Sequence, residues 1–251
     1  MNKFFTTIVK PTFTFANRNL AAFDDGDVVA DWFAFDVPNG GNNLISAYMV
    51  TEIATGGLQT WHPEVFFAKD IVVGGKILAP AFLGLLDGSA VGSSWENHLL
   101  GFLQAEENSQ VATTLDFAHV ARLSTIAKNG IRPDIILQGE PDTGTSKGLS
   151  RIYVGITTVD GDPDFRSVVT TNGGGTAGDA TLTVDTANAF RQFSAGDQLI
   201  DEDEQELGTI ESINSLGTVI TFDKNGLLNN VLNDRVVATK TPIKLVLGFE
   251  R

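Results

Sequence analysis

The sequence predicts an all-β protein, in which an antiparallel two-sheet sandwich is followed by a small barrel near the C-terminus. Three observations predict this fold class. Apolar and polar residues alternate with period two along most of the chain, as they do in strands that bury one face. The 26 glycines and 17 phenylalanines among 251 residues favour short strands joined by tight turns. Clusters of Gly, Pro, Asn and Asp separate the alternating runs at the spacing of hairpins.

Residues 1–168 contain about eight alternating runs and predict a jelly-roll-like sandwich domain. The runs occupy residues 5–15, 27–37, 43–53, 63–71, 96–107, 116–128, 132–140 and 150–160. We expect four side chains of the first run to face the core: Phe5, Ile8, Phe13 and Phe15. Pro11 in that run indicates an edge strand or a bulge. Residues 79–89 do not alternate, and Pro80 and Gly88 suit the beginning and end of a short helix there.

The second part of the chain predicts a smaller unit. The glycine-rich segment NGGGTAG falls within residues 169–178, which we interpret as a linker. Residues 179–241 then predict a small SH3-like barrel, whose short strands close on themselves. Its strands are expected at 180–185, 197–202, 206–213, 217–222 and 234–240, with a short helix at 225–233. The segment 242–251 alternates strongly. It either completes the barrel or returns to the sandwich, which would make the barrel an insertion.

Composition limits the classes of function. The net charge is −14, with 31 acidic and 17 basic residues, so the chain lacks the basic patch that nucleic acid requires. The absence of cysteine excludes disulfides, thiolate metal sites and a cysteine nucleophile. No apolar run reaches the ~18 residues of a membrane-spanning helix, and the N-terminal residues lack the features of a cleaved signal peptide. We therefore expect a protein made in the cytoplasm, with neither nucleic acid nor membrane as a partner.

Three acidic groups are candidates for cation binding. They are Asp24, Asp25 and Asp27; Asp160, Asp162 and Asp164; and Asp201, Glu202, Asp203, Glu204 and Glu206. The last group has no internal glycine, and the other two lack the downstream glutamate of an EF-hand loop. We interpret the group at 201–206 as the solvated tip of a hairpin and the others as turns. A loosely held cation is the alternative; no metal and no cofactor is predicted.

Motifs for catalysis or ligand binding are weak. The histidines are His62, His98 and His119. They show no HxH or HExxH spacing and no GxSxG elbow occurs, so we interpret them as hydrogen-bonded structural residues. The NGGGTAG segment has no lysine to reach a phosphate. A sugar-stacking platform would need exposed aromatic residues, and the candidates are Trp32, Trp61 and Trp95. Aromatic residues on alternating strands more often fill a core. We predict a protein that is not an enzyme, with a glycan hydrolase as the enzymatic alternative.

Three stretches resemble structural proteins of tailed bacteriophages. NLISAYMVTEIATGG followed by EVFFAKD is similar to the paired strands of a phage capsid-associated β-sandwich. RIYVGITTVDGDPDF resembles a later strand and turn of such proteins. AGDATLTVDTANAFRQFSAGDQLIDEDEQELGTIESI resembles the small barrel common in phage virion proteins. The chain departs from some of these relatives in its acidic tip and in the segment APAFLGLLDGS.

The resemblance implies a capsid decoration (cement) protein on the virion, which binds the major capsid protein on the outer head surface and bridges neighbouring subunits. It also implies a homo-oligomer, with a trimer favoured. A tail or baseplate protein that binds receptors or glycans is the alternative. The apolar, lysine-bearing N-terminal segment is the candidate arm for capsid or inter-subunit contact, through Lys3, Phe4, Phe5, Ile8 and Lys10. If this segment is instead the first core strand, deleting residues 1–12 would unfold the protein rather than weaken its attachment.

Overall fold

The fold is all-β and its strand pairs are antiparallel, which confirms the predicted fold class. The structure is a computed structural model. It describes residues 3–15, 23–52, 61–84, 95–105, 110–111, 118–125, 133–141, 148–161, 163–185 and 189–251. The helical elements whose bounds are described are a 3-10 turn at Glu96–His98 and the four-residue helix α1 at Ala189–Gln192.

The strands are numbered in chain order. Their bounds are β1 Phe4–Val9, β2 Val28–Pro38, β3 Asn42–Glu52, β4 Pro63–Lys69, β5 Ile71–Val73, β6 Lys76–Leu78, β7 Leu99–Gln104, β8 Gln110–Val111, β9 Ala118–Arg122, β10 Ile135–Leu137, β11 Leu149–Thr158, β12 Val169–Thr170, β13 Thr181–Thr183, β14 Gln198–Asp201, β15 Glu206–Ile213, β16 Val219–Phe222, β17 Val236–Thr239 and β18 Ile243–Glu250.

Two facing sheets form the sandwich. Sheet A has the order β1–β18–β3–β9–β8, with β10 also paired to β3, and sheet B has the order β2–β11–β4–β7. The eight principal strands are, in chain order, β1, β2, β3, β4, β7, β9, β11 and β18. Sheet A therefore holds the first, eighth, third and sixth of them, and sheet B the second, seventh, fourth and fifth. This alternation between layers is that of a jelly roll, which contains two Greek keys.

Period-two alternation produces the core between the sheets. In β18, Leu245, Leu247 and Phe249 are fully buried, while Lys244 and Val246 on the opposite face are half-buried. The same inward positions of the other strands supply the rest of the core, including Leu44, Met49, Val65, Phe67, Leu103, Ile152 and Val154. Each fully buried side chain of this size stabilises the fold by about 1.5–3 kcal/mol.

A small barrel is inserted between β11 and β18. Its sheet has the order β12–β17–β14–β15–β16–β13. The two end strands meet, because a bridge joins Thr171 to Val184 and the N–H of Asn172 donates to the carbonyl of Thr183 over 2.9 Å. This closure leaves few unpaired edges. The barrel has a core of its own, which includes Leu182, Leu199, Leu207, Ile220, Phe222 and Val237. The chain then returns to sheet A, where β18 lies between β1 and β3.

The glycine-rich segment expected to be a linker is instead part of the barrel. Strand β12 pairs with β17, and Gly175 forms a bridge with Val231. A Cβ atom on Gly174 would lie 2.6 Å from the carbonyl oxygen of Val231. Glycine is therefore needed here because two backbones approach closely, and not because the segment is flexible.

Three local expectations are corrected. Ile8 faces outward, because Phe5 and Val9 occupy the inward positions of β1 and a period of two cannot also place Ile8 inside. Residues 225–233 contain turns and a bridge at Val231 in place of a helix. Residues 79–84 are not helical either, and the remainder of the helix expected at 79–89 lies outside the described residues.

Candidate interaction surface

The outer face of sheet A, which points away from the sandwich core, carries exposed apolar side chains in two rows. Ile8 lies opposite Val246, which lies opposite Tyr48. Phe4 begins the other row and Ile136 of β10 ends it, while the polar residues Glu250 of β18 and Asn43 of β3 lie between them. Residues paired across neighbouring strands share one face of the sheet. We call this group the outer patch; its members are Phe4, Ile8, Tyr48, Ile136 and Val246.

Four of the five members of the outer patch are exposed, and Val246 is half-buried. Phe4 is 66% exposed, Ile136 64%, Ile8 61% and Tyr48 39%. Residues with small or no side chains, Thr6, Ser46 and Gly248, lie between the two rows. Clustered exposed apolar side chains are typical of surfaces that bind another macromolecule. On a chain with net charge −14, the patch holds one acidic residue, Glu250, between its apolar members.

The five residues proposed for an N-terminal arm lie in or beside the first strand of the sandwich. Phe4 and Ile8 belong to the outer patch, but Phe5 faces inward and stacks on Phe249 with ring centroids 4.9 Å apart. Lys3 exchanges backbone hydrogen bonds with Arg251. The Nζ of Lys10 lies 3.6 Å from Oδ1 of Asp197 in the barrel. The segment is thus a strand of sheet A rather than a projecting arm, and only two of its five candidates are large exposed apolar residues.

A second exposed apolar element is the hairpin β5–β6. Gly74 and Gly75 form its turn with φ of 60° and 79°, a conformation that favours glycine. Among the described strands, β5 and β6 pair only with each other. Four large apolar residues in and after the hairpin are exposed: Val72, Val73, Leu78 and Phe82, the last by 74%. An isolated two-stranded hairpin is at best marginally stable in water. Contact with another surface would therefore stabilise this one.

An ion cluster fixes the barrel at one end of the outer face of sheet A. Asp197 of the barrel is buried, and its Oδ1 lies 3.2 Å from Nζ of Lys244 in β18. Lys244 also lies 3.7 Å from Glu52 in β3. The hydroxyl of Thr239 in the barrel donates to Oε2 of Glu52 over 3.0 Å. These contacts hold the barrel beside the outer patch and leave the patch uncovered by it.

The acidic group at 201–206 forms the turn between β14 and β15, as predicted. Asp201 is buried, and its Oδ1 accepts hydrogen bonds from the N–H groups of Asp203 and Gln205 at 3.0 and 2.9 Å. Arg235 forms ion pairs with Glu202 and Asp203. Asp201 is thus bound to the backbone of the turn, while Glu202 and Asp203 share Arg235 as their partner.

The remaining acidic groups also form turns. Oδ2 of Asp27 accepts the N–H of Asp24 over 2.8 Å, and Gly26 between them has φ of 84°. Asp164 forms a bidentate ion pair with Arg166; Asp162 lies outside the described residues. Within the part of the chain that the structure describes, no three His, Asp or Glu side chains gather in a way that could hold a metal ion.

The histidines and tryptophans lie in or beside the strands of the sandwich. Nε2 of His62 and Nδ1 of His98 are buried without a hydrogen-bond partner among the described residues, so these two atoms do not fit the expectation of hydrogen-bonded histidines. His62 precedes β4 and exchanges backbone hydrogen bonds with the segment 159–160, and His98 lies in the 3-10 turn. His119 lies in β9, and its side chain is outside the described set. Trp61 and Trp95 are only 1% and 6% exposed, and the indole of Trp32 packs edge-on against Trp95. The three tryptophans therefore do not form an exposed sugar-stacking platform.

A cavity of about 310 Å³ lies between the segment that follows β1 and the edge strand β2. Its charged lining residues are Lys10 and Asp31. Oδ1 of Asp31 accepts the N–H groups of Trp32 and Leu83 at 2.7 and 3.0 Å, so it fixes the local backbone. Glycoside hydrolysis generally uses two carboxyl groups. Among the described residues that line the cavity, Asp31 is the one carboxylate.

Tyr48, Ile136, Val246 and the hairpin β5–β6 were not recognised from the sequence as surface candidates. The hairpin had a usable signal, because two glycines between short apolar runs, as in IVVGGKIL, are typical of a tight hairpin. The outer patch had no usable sequence signal. Its members lie on four strands, and the order of these strands in the sheet cannot be derived from local sequence patterns.

Comparisons with protein-family models, with curated proteins and with solved structures find no match to this chain. No helix among the described residues combines the length and apolar character needed to cross a membrane.

Proposed function

We propose that this protein is a structural component of a tailed-bacteriophage particle. In this proposal it is a non-enzymatic decoration, or cement, protein on the virion that binds the major capsid protein on the outer head surface and bridges neighbouring subunits. The observation that carries the proposal is the outer patch, an exposed apolar surface on the rigid sheet A of an acidic protein. The hairpin β5–β6 is a second exposed apolar element, separate from the outer patch.

The fold is compatible with this role. Jelly rolls occur in viral capsid domains, although the same fold also occurs in lectins and cupins, so the topology supports the proposal only by analogy. The resemblance of three sequence stretches to phage virion proteins points in the same direction. A rigid sandwich suits cementing, because a bridge between two subunits resists their separation only if it does not deform.

Binding to particles tests the proposal. Purified protein is added to phage heads that lack it, and the amount bound per head is measured after sedimentation. Ile136→Asp and Tyr48→Asp place a charge in the outer patch without disturbing the core, so we expect at least tenfold weaker binding. Leu216→Asp on the barrel is the matched control, because Leu216 is 68% exposed and outside the patch. Equal occupancy by all variants, or no stoichiometric binding by the natural protein, would contradict the proposal.

A further inference from the structure

We infer that β1 is a self-association strand, which pairs antiparallel with β1 of a second copy about a twofold axis at Thr6. This inference concerns the free protein and does not depend on the proposed attachment to a phage head.

The open edge of sheet A is the first observation. Among the described strands, β1 pairs with β18 alone, so its other side is a sheet edge. Lys3 and Arg251 exchange both backbone hydrogen bonds, at 3.0 and 2.9 Å. Hydrogen-bonded pairs alternate along an antiparallel ladder, so Phe5, Thr7 and Val9 also bond to β18. The backbone N–H and C=O groups that face the open edge are consequently those of Phe4, Thr6 and Ile8.

The edge also lacks the features that prevent strand pairing. The strand FFTTIV contains no charge, no proline and no glycine. Edge strands of natural proteins are usually interrupted by charge, proline or bulges, and uncharged segments of high β-propensity otherwise pair with other chains. Strand β2, the edge of sheet B, shows such protection, since it contains Asp31 and Asp36 and ends at Pro38. The lysines Lys3 and Lys10 lie just outside the unprotected strand of sheet A.

The sequence of β1 is self-complementary in one register. The backbone groups that face the open edge belong to Phe4, Thr6 and Ile8. All of them form hydrogen bonds with an antiparallel second copy only if these three residues lie opposite the same three residues of that copy. This occurs when Thr6 lies opposite Thr6 and Phe4 lies opposite Ile8 of the second copy. A shift by two residues leaves one of the three without its counterpart. A shift by one residue in either direction misaligns all the hydrogen bonds, and in one of the two directions it also places Lys3 opposite Lys10.

Side-chain contacts favour the same register. The side chains of Phe4 and Ile8 are 66% and 61% exposed on the outer face. In the aligned pair each Phe4 packs against an Ile8 across the new strand boundary, and aromatic with β-branched pairs stabilise antiparallel strands. The two outer patches then become one continuous surface across the twofold axis.

This association is closed. Pairing uses the same edge in both copies, so no further copy can add to it, as in other isologous interfaces. It joins copies two by two, and so differs from the trimer that the resemblance to phage proteins favours. The mass of the assembly distinguishes the two arrangements.

The test uses the full chain and a substitution that affects only the open edge. Thr6→Pro removes an N–H that does not bond to β18, and proline is tolerated at the exposed side of an edge strand. Thr7→Pro is the matched control, because it removes an N–H that bonds to Leu247 in β18. The mass of each variant, with 26.8 kDa per copy, is measured by analytical ultracentrifugation over a range of concentrations, and its melting temperature by circular dichroism.

We expect the natural protein to have the mass of two copies and Thr6→Pro to weaken the association by about tenfold or more, with little change in melting temperature at low concentration. Thr7→Pro should lower the melting temperature. A natural protein that stays monomeric, one that forms trimers, or a dimer that Thr6→Pro leaves intact would each overturn the inference.

A cross-link gives an independent readout if the proline variant fails to fold. The chain has no cysteine, so Thr6→Cys introduces one thiol per copy. Hydrogen-bonded partners in an antiparallel pair have Cα atoms about 5.5 Å apart, which a disulfide can span. We expect mild oxidation to link Thr6→Cys into covalent dimers much faster than Ser215→Cys, whose residue is exposed on the barrel. Equal rates for the two variants would contradict the twofold register.

Discussion

At the scale of residues, acidic side chains that are adjacent in the sequence have different structural roles. In the acidic turn 201–206, Asp201 is buried and accepts two backbone N–H groups, whereas Glu202 and Asp203 meet Arg235 at the surface. One carboxylate therefore shapes the turn, and the charges of its two neighbours are screened by Arg235. Alanine variants of Asp201 and Asp203 therefore compare these two roles directly.

Asp201→Ala should lower the free energy of unfolding by about 1–3 kcal/mol, because a charged acceptor of two hydrogen bonds is lost. Asp203→Ala should change it by less than about 1 kcal/mol, because Asp203 contributes a surface ion pair. Urea denaturation followed by circular dichroism measures both. If the two substitutions cost the same, the turn is not organised by Asp201.

Tyr153 makes stability depend on pH at the alkaline end. Burial disfavours the phenolate and raises the pKa of Tyr153, and the nearby carboxylate of Asp70 raises this pKa further. Because the pKa is higher in the folded than in the unfolded chain, the folded state binds the proton more tightly. This contribution to stability is complete below the unfolded pKa of about 10 and is lost as the pH rises through the folded value.

We therefore expect the phenol of Tyr153 to titrate above pH 10, with a fall in unfolding free energy over the same range. The chain contains two tyrosines, so absorbance titration of Tyr48→Phe reports on Tyr153 alone. Tyr153→Phe should remove part of the alkaline loss of stability. A midpoint at or below the ordinary value of about 10 would show that the phenol is not shielded.

At the scale of elements, alternate residues of β1 have different roles. The inward residues stabilise the fold, and the outward residues are available for association. Phe5 contributes to the core through Phe249, while Phe4 beside it points to solvent on the outer patch. The deletion of residues 1–12 would remove this strand and uncover β18. Loss of folding is therefore the expected result, in place of a loss of attachment alone.

Phe5→Ala should destabilise the fold by about 2 kcal/mol or more, because it leaves a cavity beside Phe249. Phe4→Ala should change the unfolding free energy by no more than about 0.5 kcal/mol in dilute protein, as exposed positions usually do. Thermal unfolding of the two variants compares them directly. A larger cost at Phe4 than at Phe5 would mean that the two faces of β1 are assigned the wrong way round.

The alternation of apolar and polar residues was sufficient to predict most strands, because a strand that buries one face has its apolar residues at every second position. β15 occupies residues 206–213, as its alternation predicts. Residues 225–233 show where such local patterns fail: Leu227 and Val231 have helical spacing, yet both fill the barrel core from turns. The reason is long-range, since the side chains of Asn229 and Asn230 bond to the backbone of Glu206 and Ala177 and hold these turns in place.

At the scale of the whole molecule, the two cores are held together by a small polar junction. Asp197 is nearly completely buried, and its partners Lys10 and Lys244 come from the two ends of the sandwich sequence. No short motif could indicate this cluster, because its members meet only after the barrel is inserted and β18 returns to sheet A. The outer patch could not be predicted for the same reason, since it depends on the order β1–β18–β3 and on the addition of β10.

Asp197→Ala should lower the free energy of unfolding by about 1–3 kcal/mol, because it removes a buried carboxylate that accepts the N–H of Ser194 and pairs with Lys244. Asp164→Ala breaks an ion pair with the exposed Arg166 and should cost less than about 1 kcal/mol. Denaturant unfolding measures both, and limited proteolysis reports whether the barrel separates from the sandwich. A neutral Asp197→Ala would show that the apolar contacts around Phe15 and Ile200 suffice to hold the barrel.

The most direct test of the central claim is to locate this chain on particles by electron cryomicroscopy. We expect many copies on the outer head surface at regular lattice positions, with the outer face of sheet A turned toward the capsid. Absence from purified particles, or a position confined to the tail, would contradict it.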